Sequence, residues 1–498
     1  MVETLSLYFD GKSQPAPSGV SHLTLNAPAT GQPYAQVPLC GADTVGKVVQ
    51  SAQAAFPGWR DTPVVERARV LFRYRQVLEA EADSLARLVS NDHGKTLADA
   101  KGEVQRGIEV VEFAAGMPSL MQGDAVNDVA RGIDCRTVRQ PLGVCAGIVP
   151  FNFPVMVPMW MFPVAIAAGN TFVLKPSERV PRAALRLAEL FREAGLPPGV
   201  FNIVHGAREA VDALIGHPAV RAVSFVGSET VARDIYRKAG QQGKRVQALS
   251  GAKNHLVVMP DCDLNKTVEG IMGGAYGSAG ERCMAVSVVV AVGEAGDALV
   301  SKLKETAGAL RVGPGAEPES EMGPLITAEH KAKVTGYIEK GQAQKAKLVL
   351  DGRQHPKANG PGNFVGPTLF DQVTPDMAIY REEIFGPVLS VVRAKSLDEA
   401  IAIVNSNAFG NGAAIFTSSG AAARQFQNDV TAGMVGVNVS VPVPLAFFPF
   451  AGWKHSFFGD LHAHGKDGVA FYTETKVVTS RWFSGESGGG KNMTIALK

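Results

Sequence analysis

Cys283 lies in the run GSAGERCM at 277–284, behind three small residues and a glycine and directly after Arg282. Glycine permits a tight turn that can expose the sulfur, and a neighbouring guanidinium favours the thiolate, the reactive form of a cysteine. The plainer reading of a lone cysteine is a small buried hydrophobe. A second candidate run is TFVLKPSE at 171–178, a buried-type strand that delivers Lys175 and Glu178 to its carboxyl end. Open α/β sheets bind ligands at that edge. A carboxylate there can accept from the hydroxyls of an adenosine ribose and repel a 2′-phosphate, which favours NAD over NADP, while Lys175 can donate to the same ribose. The plainer reading is a helix start served by Pro176, Ser177 and Glu178.

The run AVSFVGSET at 222–230 is a strand that ends in a small-residue turn and opens a helix. The free N–H groups and dipole of such a helix start can hold a pyrophosphate, with Ser228 adding a hydroxyl. No GxGxxG follows any candidate strand, so this is not the usual dinucleotide loop. Strand–turn–helix junctions with Gly and Ser are also common punctuation. Two other matches lack context. The GxxxxGK spacing at 485–491 has Asn492 where a phosphate loop needs Ser or Thr, with no buried strand before it and no long helix after it. His455, His462 and His464 have no acidic or cysteine partner in the pattern of a metal site, so no metal is expected.

These candidates need elements to hold them. At 498 residues, the chain exceeds what one hydrophobic core usually supports, so two large domains are expected. A net charge of +2 implies no polyanionic partner. Five cysteines without a CxxC pair suit a reducing compartment, and MVETLSLYFDGK has the features of neither a signal nor a transit peptide, so a cytoplasmic protein is expected. Residues 142–174 carry no charge over more than the ~20 residues a membrane span needs, but Pro150, Pro154, Pro158 and Pro163 argue for a soluble core instead. Amphipathic helical spacing, as over 64–89, dominates the first hundred residues. Strand candidates then alternate with helices at 144–149, 171–174, 200–204, 222–226 and 246–249, which argues a doubly wound parallel sheet. A second α/β series has strands near 256–259, 286–292, 348–350, 388–392, 413–416 and 435–439.

In their order and spacing, PFNFP at 150–154, KPSE at 175–178, FVGS at 225–228, GAKN at 251–254, GERC at 280–283, EEIFGPV at 382–388 and FPFAGWKHS at 448–456 resemble the aldehyde dehydrogenase superfamily over nearly the whole chain. PFNFPVMVPMWMFP, QALSGAKNH, GSAGERCMA and HSFFGDLHAHGKD are closest to its CoA-acylating branch, which acts on methylmalonate and malonate semialdehydes. The resemblance implies an α/β fold with an NAD-binding domain (1–122 and 142–251), a catalytic domain (252–454) and a small oligomerisation element (123–141 with 470–498). It implies a homo-oligomer, a dimer or tetramer, with NAD as cofactor and coenzyme A as cosubstrate.

It also implies roles. Cys283 attacks the aldehyde, and the Asn152 amide with the Cys283 N–H holds the oxyanion. Glu383 holds the nicotinamide ribose with Phe385 nearby, and Val149, Phe151, Lys175, Glu178, Arg179, Ser228 and Ser250 line the rest of the cofactor site. Hydrolytic relatives carry a glutamate base two residues before the glycine of the GAKN-type motif, where this chain has Leu249. A leucine cannot take a proton from water, whereas a thiol ionises far more easily than water does. Arg282 and Arg106 are the expected anchors for a substrate carboxylate; the plainer reading of Arg106 is a solvated helix face. The competing readings are a hydrolytic aldehyde dehydrogenase releasing a free acid and a non-catalytic relative that retains the fold.

Overall fold

The computed structural model describes residues 2–483; the GxxxxGK match at 485–491 lies outside them. Two large sheets dominate. The first has eight strands in the order Phe457–Gly459, Arg245–Leu249, Val220–Val226, Val144–Ile148, Thr171–Lys175, Phe201–Ile203, Leu7–Phe9 and Lys12–Gln14. Its five central strands are parallel, and the outer pairings are antiparallel. Val144–Ile148 lies in the middle with its sequence successor on one side and Val220–Val226 on the other, so the strand order reverses there. A crevice opens at the carboxyl ends beside such a reversal.

The second sheet has seven strands in the order Lys347–Leu350, Thr368–Asp371, Val388–Ala394, Val286–Val292, Asn254–Val258, Gly412–Phe416 and Met434–Val437, all parallel except the first. The five strands between the two edges are nearly all buried, as in a sheet covered on both faces, whereas the edge strand Lys347–Leu350 has no buried residue. Thr368–Asp371 is a strand the sequence reading did not anticipate. The periodic stretch over 64–89 forms two helices, Val64–Ala80 and Ala82–His93, broken at Glu81. A third, small sheet joins Ala125–Ala130, Ile133–Pro141 and Thr473–Arg481.

The uncharged stretch at 142–174 forms a strand, the short helix Met156–Ala167, whose residues are all buried, and a second strand. Among the described residues no helix is long and apolar enough to cross a membrane. The helix Leu97–Ala115 packs against Met156–Ala167 at close range, because a Cβ at Gly107 would lie 2.6 Å from the Met159 sulfur. Between these helices sits an ion pair with both side chains fully buried, Lys95 Nζ to Glu103 Oε2 at 2.7 Å. The other oxygen, Glu103 Oε1, accepts from the N–H groups of Val155 and Met156 at 2.8 and 3.2 Å, at the start of the apolar helix. Helix starts leave such N–H groups without partners, so the carboxylate satisfies them and is stabilised in return.

Breaking a buried pair from one side strands a charge and costs about 3–5 kcal/mol. Glu103→Ala is therefore expected to lower the first denaturation midpoint sharply in a urea titration followed by circular dichroism. Asp83→Ala, which removes only the exposed partner of Lys101, is expected to leave that midpoint nearly unchanged.

Candidate active site

The first sheet ends its parallel strands at Ile148, Lys175, Val226 and Leu249, and the second begins its own at Asn254, Val286, Val388 and Gly412. Residues 250–253 carry the chain from one to the other, and it returns over 438–456 to the edge strand Phe457–Gly459. The carboxyl ends of one sheet and the amino ends of the next therefore supply loops to a common cleft, and Lys253, Arg282, Cys283, Glu383 and Phe385 line it together.

Cys283 follows a strained turn. Ser278 and Ala279 both have φ of 52°, a left-handed conformation uncommon for residues with a side chain. Gly280 has φ of 72°, and a Cβ there would sit 2.3 Å from the Gly386 carbonyl oxygen, so only glycine fits. Asp99 Oδ2 accepts the Ser278 N–H at 3.0 Å, tying the turn to the helix Leu97–Ala115. The Cys283 carbonyl accepts from the amides of Asn254 and Asn411 at 2.9 and 3.1 Å.

Arg282 does pull the thiol pKa down, as its place in the sequence suggested, but it is outweighed. Loss of water around the sulfur, then the nearby Glu383, push the Cys283 thiol up to about 12, and the N–H groups of Cys283 and Met284 with Arg282 offset this only in part. Arg282 has other partners: its Nη2 donates to Asp99 Oδ1 at 2.5 Å and its Nη1 to the Gly273 carbonyl at 3.1 Å. Its charge is thus largely compensated. Arg282 lines both the Cys283 cleft and a neighbouring cavity of about 570 Å³ that also includes Asp99, Gly277 and Ser440.

Asn152 is 3 % exposed. Its carbonyl accepts from Lys95 Nζ at 2.6 Å, and its side-chain amide has no protein partner among the described residues. Phe151 packs edge-on against Phe385 at 5.8 Å and stacks with His93 at 5.9 Å. Glu383 Oε1 accepts the Ala252 N–H at 3.0 Å, and burial raises its carboxyl pKa. Beside it Lys253, pushed down to about 7 by burial, donates to the Glu382 carbonyl at 2.8 Å. Arg106 does not line the Cys283 cleft; it pairs with Glu109 at 2.6 Å and donates to the Pro444 carbonyl.

Toward the first sheet, Lys175 Nζ donates to Glu178 Oε2 and to the Gly206 carbonyl, both at 2.9 Å. Burial pushes the Glu178 carboxyl up, but Lys175 outweighs it and the net shift is downward. Val149 continues the central strand by bonding the Lys175 carbonyl. Exposed Ser228 stands at the start of the helix Glu229–Gly240 without a side-chain capping bond, so the first N–H groups there stay open. Ser250 is buried and its hydroxyl has no partner. Arg179, whose charge helps hold the Glu178 carboxyl pKa down, opens on a cavity of about 280 Å³ with Asn26, Thr327 and Glu329. The three C-terminal histidines have separate partners: His455 pairs with Glu229, His462 with Asp467, and His464 bonds the Phe448 carbonyl.

Sequence reasoning missed Lys95, Glu103 and Asp99. One signal was available: Asp99, Glu103 and Arg106 recur at spacings of four and three, which puts three charged residues on one face of the helix.

A family model for the aldehyde dehydrogenase family matches residues 16–478. A malonate-semialdehyde dehydrogenase of Geobacillus kaustophilus is 55% identical over 481 residues, covering 97% of this chain and 99% of that protein. One from Pseudomonas aeruginosa is 55% identical over 457 residues, covering 91% and 92%. Among solved structures, a methylmalonate-semialdehyde dehydrogenase from Oceanimonas doudoroffii has 51% identity and a TM-score of 0.95, covering 97% of this chain and 99% of that one. A Sinorhizobium meliloti chain described as the same enzyme, in complex with NAD, has 49% identity and a TM-score of 0.96 over the same shares. Matched along nearly its whole length in sequence and in structure, the chain belongs to the aldehyde dehydrogenase family.

Proposed function

We propose that this chain oxidises malonate semialdehyde, methylmalonate semialdehyde or both with NAD, by way of a thioester on Cys283 that coenzyme A releases. The observation that carries the CoA step is Leu249. It is 4 % exposed and belongs to the apolar cluster against which Cys283 packs. Of the described residues lining the Cys283 cleft, only Glu383 carries a carboxylate. Water needs a base or a metal to attack near neutrality, and a thiol does not need one to the same degree.

Cys283 attacks the aldehyde carbon, and the free Asn152 amide with the Cys283 N–H stabilises the oxyanion, an arrangement worth about 2.7–4 kcal/mol for one donor. The residues present suit NAD. The open helix start at Ser228, the unpartnered Ser250 hydroxyl and the Lys175–Glu178 pair offer donors and an acceptor at the sheet edge, with Glu383 and Phe385 at the cleft. Bound NAD supplies the acceptor for the hydride lost as the oxyanion collapses. Val149, Phe151 and Arg179 complete the residues assigned to its site.

The substrate carboxylate is held by Arg282, with Arg106 as a second anchor, each arginine sharing its guanidinium with the carboxylate it already pairs. The malonyl-type thioester left on Cys283 loses CO2 to give a thioester enolate, which takes a proton. The CoA thiolate then attacks the carbonyl, Cys283 leaves, and propionyl-CoA or acetyl-CoA forms. The NAD-binding domain comprises 1–122 and 142–251 and the catalytic domain 252–454, while 123–141 with the described part of 470–498 join copies in a cytoplasmic homo-oligomer; 484–498 lie outside the described residues. The free edges of the small sheet support that last role, with Val126, Val129 and Val477 exposed on it.

Three measurements check the reading. With malonate semialdehyde, NAD and CoA, turnover yields NADH and acetyl-CoA together; without CoA it stops after about one NADH per site, and steady release of free acid would contradict it. Alkylation of Cys283 by iodoacetamide without NAD is expected to be slow at neutral pH and still rising at about pH 10, because only the thiolate reacts. Arg282→Gln is expected to raise KM for malonate semialdehyde about tenfold or more while leaving KM for propanal, which has no carboxylate, nearly unchanged.

A further inference from the structure

Lys95 is 1 % exposed and has three contacts that all serve one loop. Its ammonium donates to Glu103 at 2.7 Å, donates to the Asn152 carbonyl at 2.6 Å, and lies 4.1 Å from the centroid of the Phe153 ring. Glu103 uses its other oxygen on the N–H groups of Val155 and Met156. The pair therefore grips residues 152–156 at both ends, by a carbonyl at Asn152 and by two N–H groups three and four residues later. Nothing about holding an apolar core together demands charges here, since buried pairs are often replaced by well-packed hydrophobes without loss of stability. What they add is direction: each bond has a fixed donor, acceptor and angle, and the Asn152 side chain projects from the residue they hold.

We propose that Lys95 and Glu103 are positioning residues for the Asn152 amide, holding it where the oxyanion forms. This rests on the reading of Asn152 as the oxyanion donor. The pair touches neither substrate nor cofactor and acts through the 152–156 loop. A donor must lie within hydrogen-bond distance of the developing oxyanion, and displacements of an ångström at a reacting centre have large rate effects.

The test is a cycle of variants in the full-length protein. Lys95→Met with Glu103→Leu removes both charges at similar volume and leaves neither stranded. It leaves the Val155 and Met156 N–H groups and the Asn152 carbonyl without these partners, so the denaturation midpoint is expected to fall, though by less than in Glu103→Ala, while the KM for semialdehyde is retained and the rate of the NADH burst, read by stopped flow, falls at least about tenfold. Asn152→Ala is expected to lower the burst rate about a hundredfold or more. The triple variant is expected to be no slower than Asn152→Ala alone, because the pair acts only through that amide. A double variant with the wild-type burst rate, or a triple variant whose loss is the product of the two, overturns the proposal. An Asn152→Ala variant with an undiminished burst instead overturns the reading of Asn152. Where the double variant is too unstable to assay, Lys95→Met with Glu103→Gln gives the comparison, since it also strands no charge and keeps an acceptor for the Val155 and Met156 N–H groups.

Discussion

A charge enters an apolar core only if every donor and acceptor it brings is used, and the fit of Lys95 and Glu103 between two helices meets that condition with main-chain groups of the loop that carries Asn152. The consequence reaches beyond the pair. One face of the helix Leu97–Ala115 presents Asp99 to the nucleophile turn, Glu103 to the Asn152 loop and Arg106 to the carbonyl of Pro444. Three segments distant in sequence are referred to a single rigid rod, so their relative positions are set by helix geometry rather than by the loops themselves.

The second organising fact is the way the two sheets meet. Ligand groups at the carboxyl ends of the first sheet follow the general rule for open α/β sheets, but Cys283 and Glu383 come from the amino ends of the second. The chain crosses between the sheets at 250–253 and returns over 438–456, so the backbone itself keeps the carboxyl ends of the first sheet beside the Cys283 turn.

The strands were legible in the sequence where they are long, β-branched and buried on both faces. Thr368–Asp371 was not, because four residues with polar ends carry no periodicity. The break at Glu81 was hidden because apolar spacing continues across it into the next helix. At the site, ordered motifs single out Cys283, Asn152 and Glu383 as candidates, but the state of the thiol is not written in them. Arg282 is adjacent to Cys283 in sequence, yet its guanidinium is committed to Asp99, 183 positions away, and burial then decides the pKa. Lys95 and Glu103 were invisible for a related reason: a buried charge is recognisable only once its partners are in place.

The order of strands has a consequence for how the protein is made. The outermost pairing beside Arg245–Leu249 is supplied by Phe457–Gly459, and Thr473–Arg481 closes a nine-residue ladder with Ile133–Pro141. Synthesis runs from the N-terminus, so the first sheet keeps an open edge on the ribosome until more than two hundred further residues have been added. Contacts of such sequence separation slow folding, and an unpaired edge is where nascent chains associate wrongly. Completion of the first sheet is thereby deferred until the strands of the second have already been made.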